Sequence, residues 1–295
     1  MSIRQVFIVS LLLAGASAAC AADHDFEQRV KADARGSVRV SNVAGKVNVI
    51  GWDRLEVEVK AHLSGNVERV DVFSDNGRTT IRVIVPRSNF RSGEADLDIH
   101  IPKQSDLDVS AVSADVETQS LLGQQRLTTV SGEIRADFAK DFEGKTVSGD
   151  LRLKGKSEPG DVRISSVSGD VYLDRAGGDV EVTSVSGDLL LDVAAATTVR
   201  TRTTSGSLSL RGALARDGSV EADTISGEVT VRMKPQAGFQ YEATSFSGTI
   251  GNCFGRHAEN TNTHGPGSRL NGTAGDGRGR VRVKSMSGDV AICDR

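Results

Sequence analysis

The chain has 295 residues, a formal charge of −3 and only 4% aromatic residues, with 32 glycines against five prolines. That balance offers no concentrated basic face, which argues against a nucleic-acid partner. With so few large rings, a core for this length must be built from Val, Leu and Ile in a thin, regular arrangement, and the glycines fit many tight turns between short strands.

Arg4, an apolar run over 6–16 and small residues through Ala22 have the layout of a secretory leader, with cleavage near Ala21 or Ala22. The apolar run is too short to span a bilayer comfortably, and no later run approaches spanning length. Residues 1–22 are therefore expected to be a signal peptide. The mature chain is expected in the periplasm or at the cell surface, without a transmembrane span. Ser17-Ala18-Ala19-Cys20 is an incomplete lipobox that lacks the usual Leu three residues before the cysteine. A lipoprotein anchored through Cys20 is the lesser alternative.

Residues 23–110 read as a β-rich amino-terminal portion that caps or prefixes a rod of repeats. Val38 and Val40, Val43, then Val47 and Val49 alternate about Gly45. Residues 55–59 form a strand, Asp75-Asn76-Gly77 is a hairpin turn between strands at 67–73 and 79–85, and residues 95–101 alternate again before Pro102.

Residues 111–295 are organised by a repeat. Val-Ser-Gly or a close variant ends at Ala114, Gly132, Gly149, Gly169, Gly187, Gly206, Gly227, Gly248 and Gly288, at intervals of 17–21 residues except for a final 40. Two residues after each glycine stand Ile134, Leu151, Val171, Leu189, Leu208, Val229, Ile250 and Val290, and four after it stand Ala136, Leu153, Leu173, Leu191, Leu210, Val231 and Ile292, so both positions are expected inward. The apolar residues two before the glycine, Val130, Val147, Val167, Val185, Ile225, Phe246 and Met286, are also expected inward. That requires a bulge between them and the inward pairs such as Val162/Ile164 five and seven before the glycine. Glycine then serves a bend that a Cβ would obstruct. A single strand pair cannot bury its apolar face, whereas stacking units in parallel makes a continuous core. The expected fold is all-β: a β-solenoid, a parallel β-helix-like stack of ~17–21-residue coils. An antiparallel sandwich is the alternative, but it has no reason to repeat one tripeptide in one phase.

Residues 252–279, rich in Gly, Asn and Thr, read as a flexible insertion within a coil. Cys253 and Cys293 each lie five residues after a repeat glycine, so if their units are neighbours a disulfide between them is expected. A metal site at Cys253, His257 and His264 matches no compact zinc spacing. Glu133, Asp150, Asp170, Asp188, Glu228 and Asp289 directly follow the repeat glycines, and they read as solvated corner residues rather than a cation site, Ser207 and Thr249 interrupting the row. His24, His62 and His100 are scattered, and no cofactor is implied.

The segment from Ser41 through Asp53, Ser-Asn-Val-Ala-Gly-Lys-Val-Asn-Val-Ile-Gly-Trp-Asp, followed by Leu55-Glu56-Val57-Glu58-Val59, resembles the opening of the bacterial DUF4097 adhesin-like β-strand-repeat proteins. The later Val-Ser-Gly-Asp-Val units are similar to that family's repeats, and the resemblance covers roughly 28–295. It implies a cell-envelope protein and transfers no catalytic residues.

The functional expectation is a non-enzymatic, exported adhesin-like or scaffold module acting by surface binding to an envelope protein or glycan. An envelope-stress sensing component is the alternative. A polysaccharide-active β-helix enzyme is the reading from a different class. It would need paired carboxylates and aromatic platforms, for which Asp174, Asp192 and Tyr172 are the only candidates. An exposed final coil would also permit end-to-end self-association.

Overall fold

The computed structural model describes residues 23–86, 93–234, 238–261 and 266–294, and no helix occurs among them. The leader reading, Cys20 and His264 lie outside the described residues. In chain order the strands are β1 (His24–Lys31), β2 (Ser37–Trp52), β3 (Glu56–Ser64), β4 (Arg69–Asp75), β5 (Arg78–Ile84), β6 (Glu94–Pro102), β7 (Asp106–Gln119), β8 (Gln125–Thr128), β9 (Ile134–Phe138), β10 (Phe142–Thr146) and β11 (Leu151–Gly155). They continue as β12 (Pro159–Ser168), β13 (Val171–Ser186), β14 (Leu189–Thr203), β15 (Leu208–Ser226), β16 (Val229–Met233), β17 (Phe239–Ser247), β18 (Ile250–Asn252), β19 (Glu259–Asn260), β20 (Ser268–Ala274), β21 (Gly279–Ser287) and β22 (Val290–Cys293).

Each repeat unit places its residues before the Ser-Gly corner in one sheet and those after it in a second. Units pair in parallel and in phase on both sides: Val162 faces Val180 and then Val199 before the corner, while Leu151 faces Val171 and then Leu189 after it. The inward columns of Val, Leu and Ile are almost fully buried, which builds a core with few aromatic rings. Both sheets run without interruption through residue 110, because β7 pairs with β2 before and after the bend.

Coil order in space departs from order in the chain at both ends. The first sheet runs β5–β2–β7 at one end and β15–β21–β17 at the other, so the chain's first coil lies inside β5 and its last coil lies between two earlier ones. The coil turning at Gly288 therefore sits between those of Gly227 and Gly248, rather than beyond Gly248. The insertion is not structureless either: β20 pairs antiparallel with β17 and covers its edge, β19 pairs with β20, and only part of 252–279 remains outside regular strands. At the opposite end, β3 and β1 add antiparallel strands to β6, and β4 forms the expected hairpin with β5 through Asn76 and Gly77, both at positive φ.

A ladder of charge on the outer face of the first sheet matches this spatial order. Arg39, Asp108, Arg126, Glu143, Arg163, Glu181, Arg200, Glu221, Arg282 and Glu242 are consecutive partners across the sheet, strictly alternating in sign. Arg39–Asp108 at 3.0 Å, Arg126–Glu143 at 2.7 Å and Arg282–Glu242 at 3.3 Å are ion pairs. Without β21 in between, Glu221 would face Glu242, and like charges on adjacent strands repel.

The corner corrects one sequence expectation. Alternation continues unbroken to the residue three before the glycine, and this Ser or Thr points inward: Thr129, Thr146, Ser166, Ser184, Thr203, Thr224, Ser245 and Ser285 are all buried. The apolar residue after it points out, with Val130 44%, Val185 48% and Met286 60% exposed. No bulge precedes the corner, because the parity change occurs at the corner itself. The buried hydroxyl takes the inward place because it can bond the corner's backbone, which an apolar side chain cannot. At Gly132 and Gly149 the glycine N–H donates to Thr129 and Thr146 at 3.1 and 2.9 Å. In the units of Gly187, Gly206 and Gly227, which have positive φ, the hydroxyls of Ser184, Thr203 and Thr224 instead donate to the carbonyl two residues on.

At Gly187, with φ +110°, a Cβ would lie 2.3 Å from the Gly169 carbonyl oxygen of the adjoining coil. Gly187→Ala is expected to lower stability by about 2–3 kcal/mol, through left-handed strain and this backbone clash. Gly251→Ala is expected to be nearly neutral, because there the nearest atom is the Val290 oxygen at 4.0 Å. Equal thermal midpoints for the two variants would contradict the account of the corner.

Candidate functional site

The outward positions of a stacked sheet form rows, one residue per coil. The row at the corner is apolar. In spatial order it runs Val112, Val130, Val147, Val167, Val185, Thr204, Ile225, Met286 and Phe246, with the named apolar members 44–60% exposed. At one rung per strand spacing it extends about 40 Å. Patches of this extent on a soluble surface mark contact sites.

Beside this ridge runs the acidic row. Its aspartates hold the neighbouring coil: Asp115 accepts from the Glu133 N–H at 2.9 Å, Asp150 from Asp170 at 3.0 Å, Asp170 from Asp188 at 2.8 Å, and Asp188 from Ser207 at 2.9 Å. Asp289 accepts both the N–H and the hydroxyl of Thr249, at 2.8 and 2.7 Å, and these bonds hold its carboxyl below the ordinary value. The row is exposed at one side and tied to backbone at the other. It staples coils together and forms a charged bank along the ridge. Among the described residues no group of three His, Cys, Asp or Glu is arranged to hold a metal.

A second feature lies on the outer face of the second sheet. A shallow depression of about 450 Å³ opens over β11, β13, β14 and β15. Tyr172 and the 46% exposed Leu190 supply apolar surface, and the Arg152 guanidinium lies 5.3 Å from the Tyr172 ring centre. The Tyr172 hydroxyl donates to Asp170 at 3.2 Å, and the nearby Asp170 charge, with burial, raises the phenol's pKa. Asp174 and Asp192 both line the depression, so Tyr172 and the two carboxylates named from sequence do come together. Each carboxylate is paired with arginine, Asp192 with Arg211 at 2.9 Å and Asp174 with Arg175 at 3.4 Å. Leu190 and Arg211 carry no signal of their own in the sequence. Register alone identifies them, as the partners of Tyr172 and Asp192 on the next strand.

Cys253 and Cys293 form a disulfide, with Cα atoms 4.9 Å apart, joining the ends of β18 and β22. His257 is largely exposed. His62 contacts Asp25 at 2.9 Å, and that hydrogen bond raises its pKa. His100 stacks beside Trp52 with ring centres 5.0 Å apart and lies 3.6 Å from Glu58. Burial alone would raise the Glu58 carboxyl, but Arg29, in direct contact, together with Lys60 and His100 holds it below the ordinary value. This cluster fastens the outer face of β3 against β1 and β6.

A family model described as Toastrack DUF4097 matches residues 38–293. The chain belongs to this family. Among solved structures, a protein of Parabacteroides merdae described as a "putative adhesin" has 10% identity, with 91% of this chain and 95% of that one covered and a TM-score of 0.53. A second "putative adhesin", from Bacteroides fragilis, has 12% identity, with 91% and 97% covered and a TM-score of 0.38. A Parabacteroides distasonis protein described as a "putative lipid binding protein" has 10% identity, with 91% and 96% covered and a TM-score of 0.42. The likeness to the Parabacteroides merdae structure is one of fold. No curated protein matches the chain. No helix of the described residues is long and apolar enough to cross a membrane.

Two outcomes test the bonds that tie coils together. The Cys253–Cys293 bond spans a sequence separation of 40, for which chain-entropy reasoning gives about 4 kcal/mol. Reductant is therefore expected to lower the thermal midpoint of the native protein and to leave that of Cys253→Ser/Cys293→Ser unchanged. Because the folded Asp289 pKa is depressed, its contribution is present above the unfolded carboxylate value and is lost as pH falls through the folded one. Asp289→Asn should therefore be less stable than the native chain near neutral pH, and the gap should close in acid. A gap independent of pH would remove the carboxylate from this role.

Proposed function

We propose that the protein is an exported module of the bacterial cell envelope, a β-solenoid rod that works by surface contact rather than catalysis. The observation that carries this reading is the apolar ridge. Leaving a valine half exposed forgoes roughly 1 kcal/mol of burial per residue, and the same choice is repeated coil after coil beside a hydroxyl ladder that stays buried. Such a surface is complementary to an extended partner. The similar fold of a Parabacteroides merdae protein described as a "putative adhesin", the leader-like start of the sequence and a disulfide suited to an oxidising compartment support the envelope setting.

The enzymatic reading is the weaker one. A glycosidase needs one carboxylic acid and one free carboxylate facing a bond, whereas Asp174 and Asp192 are each engaged by an arginine. A stress-sensing role would use the same ridge as the partner-binding face and differs only in what the contact triggers.

Purified mature protein is expected to co-sediment with isolated envelopes of its source cells. Val147→Asp/Val185→Asp places charge in the middle of the ridge at positions 46% and 48% exposed. This variant is expected to fold normally and to lose about tenfold or more in envelope affinity, as for loss of a central apolar contact. Unaltered co-sedimentation of a folded double variant would sink the ridge as the contact surface.

A further inference from the structure

We propose that the depression over Tyr172 and Leu190 is a second, separate binding site, and that its ligand is the ring of an uncharged pyranose within a glycan. Its composition is unlike the rest of the outer surface. Elsewhere the outer positions of this sheet are mostly charged, hydroxylic or small, whereas here a tyrosine and a half-exposed leucine stand side by side on adjacent strands, in a chain with only two tyrosines. They give a small apolar patch within the depression.

The next outward row supplies the polar rim. Lys154 pairs with Asp174, and Asp192 with Arg211, across neighbouring strands, and all four line the depression. Asp174 and Asp192 lie just past the Leu173–Leu191 pair, where the register between β13 and β14 shifts. Lys154 and Arg211 with the two carboxylates sum to zero charge, Arg152 being paired with Glu133 and Asp150, and they set donors and acceptors beside an apolar floor. An anion would meet the two carboxylates and a cation the two basic groups. A polyhydroxylated neutral ring can donate to one pair and accept from the other while its C–H face lies against Leu190 and the part of Tyr172 that Arg152 leaves open. Aromatic surface with a few convergent polar groups is the usual form of a small-ligand site. The depression is open and shallow, so affinity for a single ring is expected in the millimolar range, rising when several rings lie along the sheet.

The site stands independently of the ridge, which lies at the corner, and its test uses different variants. Saturation-transfer NMR on the mature protein, with methyl glucopyranoside, galactopyranoside and mannopyranoside and with methyl glucuronide as probes, is expected to show transfer from the C–H face of at least one neutral ring. Transfer from the glucuronide should be weaker, and added salt should have little effect. Tyr172→Ala should weaken binding of that sugar by about tenfold, the worth of a well-packed aromatic contact. Tyr172→Phe should retain binding, and Phe73→Ser, at an exposed position on β4, should not change it. Sugar-induced amide shifts in the native protein should centre on residues 172 and 190, a readout that does not depend on any variant folding. Absence of transfer from every pyranoside, preference for the charged sugar, or shifts centred elsewhere would each overturn the proposal. Envelope binding by the native protein that is lost in Val147→Asp/Val185→Asp but kept in Tyr172→Ala, together with no pyranoside transfer, would reject this site and leave the ridge reading standing.

Discussion

The structure depends on the contact between one corner and the next. A Cβ at Gly149 would lie 1.9 Å from the Gly132 oxygen, and one at Gly206 would lie 2.2 Å from that of Gly187, so each turn is seated directly on the backbone of the turn beside it. A coil shifted by one residue would bring a Cβ into that contact and would also reverse every inward and outward position along its strands. Register, burial and outer rows are therefore set together at one point per coil. Asp150, Asp170, Asp188 and Asp289, each beside a repeat glycine, add a charged acceptor to the same contact, and in most units the buried Ser or Thr bonds the backbone of the turn.

Seating alone does not determine which coil lies beside which, because the corners are interchangeable. The alternating arginine and carboxylate ladder is not. Each exposed pair is worth only a fraction of a kilocalorie, but exchanging two adjacent coils replaces an attraction with a repulsion on the outer side of each. The penalty for Glu221 beside Glu242 accounts for Arg282 lying between them. Placing the first and last coils inside the stack also leaves the outermost positions to strands edged by antiparallel ones, β3 and β1 on one side and β20 on the other. Those strands cover edges that a plain parallel stack would leave open to another chain.

Much of this is legible in the sequence, because period-two alternation counted from the repeat glycines identifies columns. The in-phase units, the hairpin at Asn76 and Gly77, the inward Val and Leu pairs and the cysteine pair all follow from that count. Two features are not legible in the same way. Hydrophobicity places Val130 and its equivalents inward, whereas the deciding quantity is the hydrogen-bonding demand of the turn, which only a hydroxyl at the preceding position meets. The interleaving of β21 is hidden because the interval of 40 residues between Gly248 and Gly288 reads equally as an insertion after the last neighbour or before it. The signs of Glu221, Glu242 and Arg282 at equivalent positions separate the two. The depression at Tyr172 is half legible: its tyrosine and carboxylates stand out singly, and only strand register shows that they share a face.

Burial and exposure at the corner are two sides of one constraint. Once the hydroxyl must point in, the next residue must point out, and nothing in the turn requires that residue to be apolar. Thr204 occupies the position without disturbing the stack, which shows that a polar side chain is compatible with it. Folding needs are therefore met with or without the valines. Repetition of Val, Ile, Met and Phe in an exposed row next to aspartates is then a property of the surface and not of the core.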